Sequence, residues 1–292
     1  MIYDLAVVGL GFWGTCVSLE ARSRGLEIIT FDDGNLFGAS RNAAGLIQRS
    51  WFKQDTIKKM MGDVTLDEID YGIDWLMGHS SLIKCGELFS SYQNETKRFR
   101  EDLYILPSVD SILKEIPSYG EVKHISHRGN YWSVEGHFAR ALVITAGWWS
   151  GKLLADNNLP TIVVKPLLGR ALIASLEDYS EKIPNTYLPR PYKHLTVRPY
   201  YENYRIGDTT ENILNLESSA EAAYSYLESS LRLMTGSSII SIKKRLCGIR
   251  PVCDIFTITE IAPRLVVATG GHRVGLALGP AVAIRALKLL GL

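Results

Sequence analysis

The hydrophobic pattern is clearest at the amino end, where Leu5, Ala6, Val7 and Val8 follow Tyr3 and Asp4 as an unbroken apolar run of strand length. Gly9-Leu10-Gly11-Phe12-Trp13-Gly14 ends that run, and a helix-like stretch then reaches Arg24. After Gly25 a second strand, Glu27 to Phe31, stops at Asp32-Asp33-Gly34. Two further apolar runs, Ala141 to Ile144 and Val266 to Ala268, each lead into a glycine turn. From Pro280 to Leu290, Ala and Leu recur at helical spacing, which predicts a helix opening near the proline. Leu195 to Asp208 instead alternates aromatic, apolar and charged positions, which predicts antiparallel strands. The fold class expected is α/β: a Rossmann-like domain with a parallel sheet, plus a smaller antiparallel-sheet α+β domain. The first is expected to be discontinuous, from residues 1–50, 105–165 and 246–292; residues 51–104 and 166–245 build the second.

The order strand, GxGxxG, helix, strand, acid carries chemistry. Gly9 permits a tight turn, Gly11 leaves room for a pyrophosphate to approach, and Gly14 lets helix and strand pack closely. The free amides at the helix start would meet the phosphates, and Asp32, with Asp33 beside it, stands where an acid accepts hydrogen bonds from a ribose. These features alone do not separate NAD from FAD.

Composition adds mostly exclusions. A chain of 292 residues, 46% hydrophobic and 22% charged, can fill a core divided between two lobes. A formal charge of +1 gives no global pull toward nucleic acid or an anionic membrane. Neither an export signal nor a membrane-spanning run is read from the sequence, so a cytoplasmic protein is expected. Cys16, Cys85, Cys247 and Cys253 show no CxxC pairing and no histidine at ligand spacing, so neither a metal nor a disulfide framework is expected.

Other segments point to a family. Gly38-Ala39-Ser40-Arg41-Asn42-Ala43-Ala44-Gly45-Leu46 resembles the second flavin-contacting loop of the D-amino-acid oxidase, glycine oxidase and sarcosine oxidase superfamily. Ala141 to Ser150, ending Ala146-Gly147-Trp148-Trp149-Ser150, is similar to that family's apolar strand and AGxWS turn. Gly248-Ile249-Arg250-Pro251 with Asp254, then Gly270-Gly271-His272-Arg273-Val274-Gly275-Leu276, resemble its GxRPxxxD and GHxxxG motifs. The resemblance spans the chain in patches and implies FAD. It places Ser40, Arg41, Asn42, Ala44, Gly45, Leu46, Ala146, Gly147 and Trp149 around the cofactor, with Val122 beside the adenine. It also implies that the glycines between 270 and 279 bring a helix amino terminus beneath the flavin carbonyl.

Oxidising an amine with flavin requires a substrate held over the ring, a neutral amine and restricted water. A substrate carboxylate is best fixed by a planar guanidinium. The resemblance makes Arg250 the leading clamp and Arg273 the second candidate, with His272 available to assist deprotonation. Arg198 and Tyr200, in a segment that interleaves Tyr and Arg from Tyr187 to Arg205, are further substrate-binding candidates. Cys247 stands where sarcosine oxidases anchor flavin covalently, although a non-covalent FAD is the favoured reading.

Three functions remain open at this point. A small-molecule amine or amino acid is converted to an imine, which hydrolyses to an oxo acid such as glyoxylate. Alternatively, the same chemistry acts on an amino-acid-modified base of nucleic acid, a reading favoured by a second lobe trimmed relative to the family and by the Tyr/Arg segment. In the third, the chain binds flavin without turnover as an assembly partner. Substrate identity, electron acceptor and oligomeric state are not read from the sequence.

Overall fold

The computed structural model describes residues 1–49, 52, 62–80, 83–84, 87–92, 95–100, 103–106, 108–179, 185–187, 195–207, 209, 211–212, 220–254, 256–272 and 274–292. The strands in chain order are β1 (Ile2–Val8), β2 (Ile28–Phe31), β3 (Leu46–Gln48), β4 (Ile83–Lys84), β5 (Glu87–Tyr92), β6 (Glu95–Arg100), β7 (Leu103–Ile105), β8 (Ile125–Arg128) and β9 (Tyr131–Val134). They continue as β10 (His137–Ile144), β11 (Lys165–Leu176), β12 (Asn185–Tyr187), β13 (Leu195–Tyr200), β14 (Asn203–Gly207), β15 (Glu211–Asn212), β16 (Ile239–Val252), β17 (Thr257–Ala262) and β18 (Leu265–Thr269). The helices are α1 (Phe12–Ser23), α2 (Leu66–His79), α3 (Asp110–Leu113), α4 (Ser150–Asp156), α5 (Ala220–Thr235) and α6 (Gly275–Leu289).

The first sheet runs β17-β18-β10-β1-β2, with the β8-β9 hairpin attached to β10. Its centre is parallel: β1 lies between β2 and β10 with Leu5 opposite both Ile28 and Ala141, and β10 continues to β18 with Val143 opposite Val266. The unbroken apolar runs follow from burial on both faces. Leu5, Val7, Ala141, Val143 and Val266 face α1 and α6, whereas Ala6, Val8, Ile29, Leu142 and Val267 pack beneath Trp132 and Val134 of β9 and Leu154 of α4.

The second sheet is mostly antiparallel, in the order β15-β11-β14-β13-β12-β5-β6, with β16 along the other edge of β11. Alternation divides its residues. Leu172, Val197 and Ile206 pack on Leu227 and Leu231 of α5, while Ala171, Ile173 and Leu246 cluster separately on the opposite face. β16 is paired with β11 from Ile239 to Val252, with irregularities between Ile173 and Ala174 and between Ser175 and Leu176, so residues on both sides of position 246 belong to one strand. A small third sheet, β3-β7-β4, completes the described strands.

The last helix begins at Gly275, not near Pro280, and the proline sits within it. Pro280 removes one helical hydrogen-bond donor. The extra turn is held by close packing, because a Cβ on Gly279 would lie 2.9 Å from the Cys16 sulfur and collide with the Phe12 ring.

Candidate functional site

The first wall is the loop after β1. Gly9 has φ of 91°, and a Cβ there would sit 2.7 Å from the Ala146 Cα, so only glycine lets the β1 and β10 turns touch. Gly14 brings α1 onto that loop; its missing side chain leaves space for the Gly9 carbonyl and for Thr145 Oγ1, which donates to the Gly9 carbonyl at 2.6 Å. The loop is shaped by acceptors from elsewhere. Leu10 N donates to Asp32 Oδ2 at 2.6 Å, Gly34 N to Asp32 Oδ1 at 2.8 Å, and Phe12 N to Ser40 Oγ at 2.9 Å. The Asp32 oxygens keep lone pairs that can accept from a sugar, and the Ser40 O–H remains able to donate to a phosphate. Asp33 accepts from Asn35 N at 2.9 Å.

The second wall is the small-residue loop before β3. Asn42 Nδ2 donates to the carbonyls of Leu36 at 2.7 Å and Gly38 at 3.0 Å, while Arg205 Nη2 donates to the Asn42 carbonyl at 3.1 Å. Ile249 N donates to the Phe37 carbonyl at 2.9 Å, which ties this loop to β16, and a Cβ on Gly248 would lie 2.7 Å from the Asn42 Cβ.

The remaining walls are the turn after β10, the start of α6 and the floor of the second sheet. Thr269 Oγ1 donates to the Gly147 carbonyl at 2.9 Å, and His272, at φ of 41°, donates its amide to the Pro251 carbonyl at 3.3 Å. Gly169, Thr196, Gly248 and Arg250 rise from β11, β13 and β16. A Cβ on Gly169 would come 2.5 Å from Arg250 Nη2, so the guanidinium lies flat over a glycine. Together these walls enclose a cleft of about 770 Å³.

The residues singled out from the sequence line this cleft, with stated exceptions. Gly14, Gly270 and Val274 stand behind the wall as spacers, and Arg273 lies outside the described residues. Arg198 and Tyr200 do not line the cleft either. Arg198 is 1% exposed; it donates to the Pro199 carbonyl at 3.1 Å, stacks over the Tyr200 ring at 5.6 Å and backs onto Gly45. Burial, above all, pushes the Tyr200 phenol above its ordinary pKa. Cys247 is turned to the α5 side of the sheet, where its sulfur accepts from Arg170 Nη1 at 3.6 Å, while Gly248 and Arg250 face the cleft. Strand alternation separates the thiol from the cavity.

Sequence reasoning missed Gly169 and Thr196 as lining residues. The available signal for Gly169 was an isolated glycine within a strand pattern, which marks a close approach; for Thr196 there was none beyond strand alternation. Lys152 and Asp156 of α4, an ion pair at 2.5 Å, also border the cleft.

A dinucleotide fits this donor set. Glycines clear its path, the amino terminus of α1 opens into one end, and carboxylate and hydroxyl acceptors stand where ribose and phosphate recognition needs them. No helix among the described residues is long and apolar enough to cross a membrane.

A family model described as DAO, FAD dependent oxidoreductase, matches residues 116–288. Among solved structures, the chain is similar to glycine oxidase from Geobacillus kaustophilus, at 17% identity and a TM-score of 0.77, covering 99% of this chain and 94% of that one. It is also similar to iminodiacetate oxidase from Chelativorans sp. BNC1, at 14% identity and a TM-score of 0.73, covering 99% and 95%. The FAD-bound L-α-glycerophosphate oxidase from Mycoplasma pneumoniae gives 14% and 0.73, covering 100% and 95%. No curated protein sequence matches. The structural likenesses show the fold, and the family model shows FAD as the cofactor.

Proposed function

Starting from the premise that this chain belongs to the FAD-dependent oxidoreductase family, we propose that it oxidises the carbon-nitrogen bond of a small glycine-like or secondary amine bearing a carboxylate. The observation that carries the reading is the placement of Arg250, whose guanidinium lies over Gly169 in the wall of the cleft that His272 and Thr196 also line. A planar guanidinium makes two parallel hydrogen bonds to a carboxylate, which fixes the substrate in orientation as well as position.

Each residue then has a physical task. When FAD is bound, the loop from Gly9 to Gly14 and the Ser40 hydroxyl would hold the pyrophosphate, Asp32 the ribose and Val122 the adenine. The chemistry FAD supplies, when bound, is acceptance of a hydride equivalent from the carbon next to the amine. Arg250 turns that carbon toward the cleft by gripping the acid group. His272 takes the ammonium proton, since the amine must be neutral to be oxidised. Trp13, Leu46 and Ile249 restrict water until the product imine leaves and hydrolyses to an oxo acid. The names of two structural neighbours, glycine oxidase and iminodiacetate oxidase, support this substrate class.

Action on a nucleic-acid base is the weaker reading. It drew on Tyr/Arg interleaving, yet Arg198 and Arg205 are 1% and 2% exposed and so offer no open stacking surface to a nucleotide. The experiment compares wild type with Arg250→Met, supplying glycine or sarcosine, an artificial electron acceptor and a glyoxylate assay. Glyoxylate from wild type and at least a hundredfold less from the variant supports the proposal. Equal yields from the two proteins, or none from wild type, defeat it.

A further inference from the structure

Two of the three variable positions of the glycine loop, Phe12 and Trp13, are aromatic, and the structure shows where Trp13 goes. It is the second residue of α1, it is only 9% exposed, and its Nε1–H donates to the Gly275 carbonyl at 2.7 Å. A Cβ on Gly271 would lie 2.5 Å from Trp13 Cζ2, and one on Gly275 would lie 3.6 Å from Nε1, so the indole fills the hollow of the segment leading into α6. On its other side the Phe256 ring meets it edge to face at 5.7 Å. A buried indole N–H needs an acceptor, and here the acceptor is the first carbonyl of α6, the helix that packs against α1.

The connection matters because α1 and α6 both begin at the cleft, with Phe12 and Trp13 at one start and Gly275 and Leu276 at the other. The unpaired amides of a helix start carry partial positive charge that fades within one turn. Their effect on a bound anion therefore depends on placement to about an ångström. We infer that Trp13 is a positioning residue: by holding the start of α6 against the start of α1, it sets how strongly the cleft prefers reduced over oxidised flavin. This rests on the reading that the flavin ring lies at the α6 end of the cleft, and not on which amine is oxidised.

The test uses the FAD-loaded protein and two variants that disturb the contact from opposite sides. Trp13→Phe keeps a ring against Gly271 and Phe256 but loses the N–H donor; Gly271→Ala keeps the indole and displaces it. The readouts are the dissociation constant for oxidised FAD, the flavin midpoint potential against a reference dye, and amide exchange over residues 279–283 in the apoprotein. In Trp13→Phe, oxidised FAD should bind within about threefold of wild type. The preference for the reduced form should fall about tenfold, which corresponds to a potential about 30 mV lower, and exchange over 279–283 should accelerate. Gly271→Ala should shift the potential in the same direction. If either variant binds FAD and keeps the wild-type potential, the inference is overturned. Failure of wild type to bind FAD would instead defeat the cofactor placement proposed for the cleft.

Discussion

Replacing Gly169 by alanine probes the clamp without touching it. The added Cβ would lie 2.5 Å from Arg250 Nη2, 2.8 Å from Cζ and 3.2 Å from Nη1. Ordinary contact between such atoms begins near 3.5 Å, so one side must retreat by about 1 Å. The guanidinium yields, since it is the far end of a flexible side chain and the Gly169 backbone is fixed by pairing with Gly248. Stability should not suffer, because glycine inside a strand is about 0.5–1 kcal/mol worse than alanine. Catalysis should. A charge-assisted hydrogen bond is worth about 1.5–3 kcal/mol, and a misplacement of about 1 Å can cost roughly a hundredfold. For glycine or sarcosine, kcat/KM in Gly169→Ala is expected to fall between about tenfold and a hundredfold, mostly through KM, with Tm unchanged or higher. Methylamine and dimethylamine have no carboxylate to grip, so their rates should not change. Steady-state kinetics on the four amines beside a thermal melt would decide it. An equal loss on carboxylated and plain amines, or no loss on either, refutes the reasoning.

Gly9→Val should abolish FAD binding and lower the Tm, because the turn at φ of 91° and the contact with the Ala146 backbone exclude a branched side chain; titration of the apoprotein with FAD beside a thermal melt checks this. Arg285 bridges α6 to Asp63 at 2.7 Å and Glu68 at 2.6 Å. Its hydrogen bond holds the Asp63 carboxyl below the usual range; at Glu68 burial pushes upward, but Arg285 and the Thr65 amide outweigh it. Lowered folded-state values mean that the stabilisation is complete above the unfolded carboxylate range near pH 4 and is lost as pH falls through the folded values. Arg285→Met should therefore melt lower than wild type at pH 7, by no more than about 1 kcal/mol or roughly 2–4 °C, and the gap should close in acid; a gap constant down to pH 2 contradicts this. Acid precipitation should release the flavin into the supernatant, and Cys247→Ser should still purify with FAD, since the thiol faces α5.

The side of the cleft built by β1, α1 and β2 was legible because its pattern is local. Strand, turn glycines, helix start and terminal acid lie within the first 34 residues and come together in the cleft wall. The side built on the second sheet was less so. Gly169 and Arg250 meet only because β11 and β16 pair across the sheet, and no local pattern encodes that register. Alternation in Leu195 to Tyr200 revealed a strand and not what its neighbours would cover, so Arg198 ended behind Gly45. Pro280 misled because proline usually opens a helix, whereas packing of Trp13 and Phe12 on the glycines of α6 carries the helix one turn further back. Tyr192, Arg190, Lys193 and His194 of the same Tyr/Arg segment lie outside the described residues.

The most direct measurement is anaerobic mixing of the purified yellow protein with glycine, sarcosine, proline, a nucleoside bearing a glycylaminomethyl group, and glycerol 3-phosphate, followed by its visible spectrum. The account predicts that the flavin band bleaches with at least one free carboxylated amine and stays intact with glycerol 3-phosphate. A band that no amine bleaches, or that only glycerol 3-phosphate or the modified nucleoside bleaches, would contradict it.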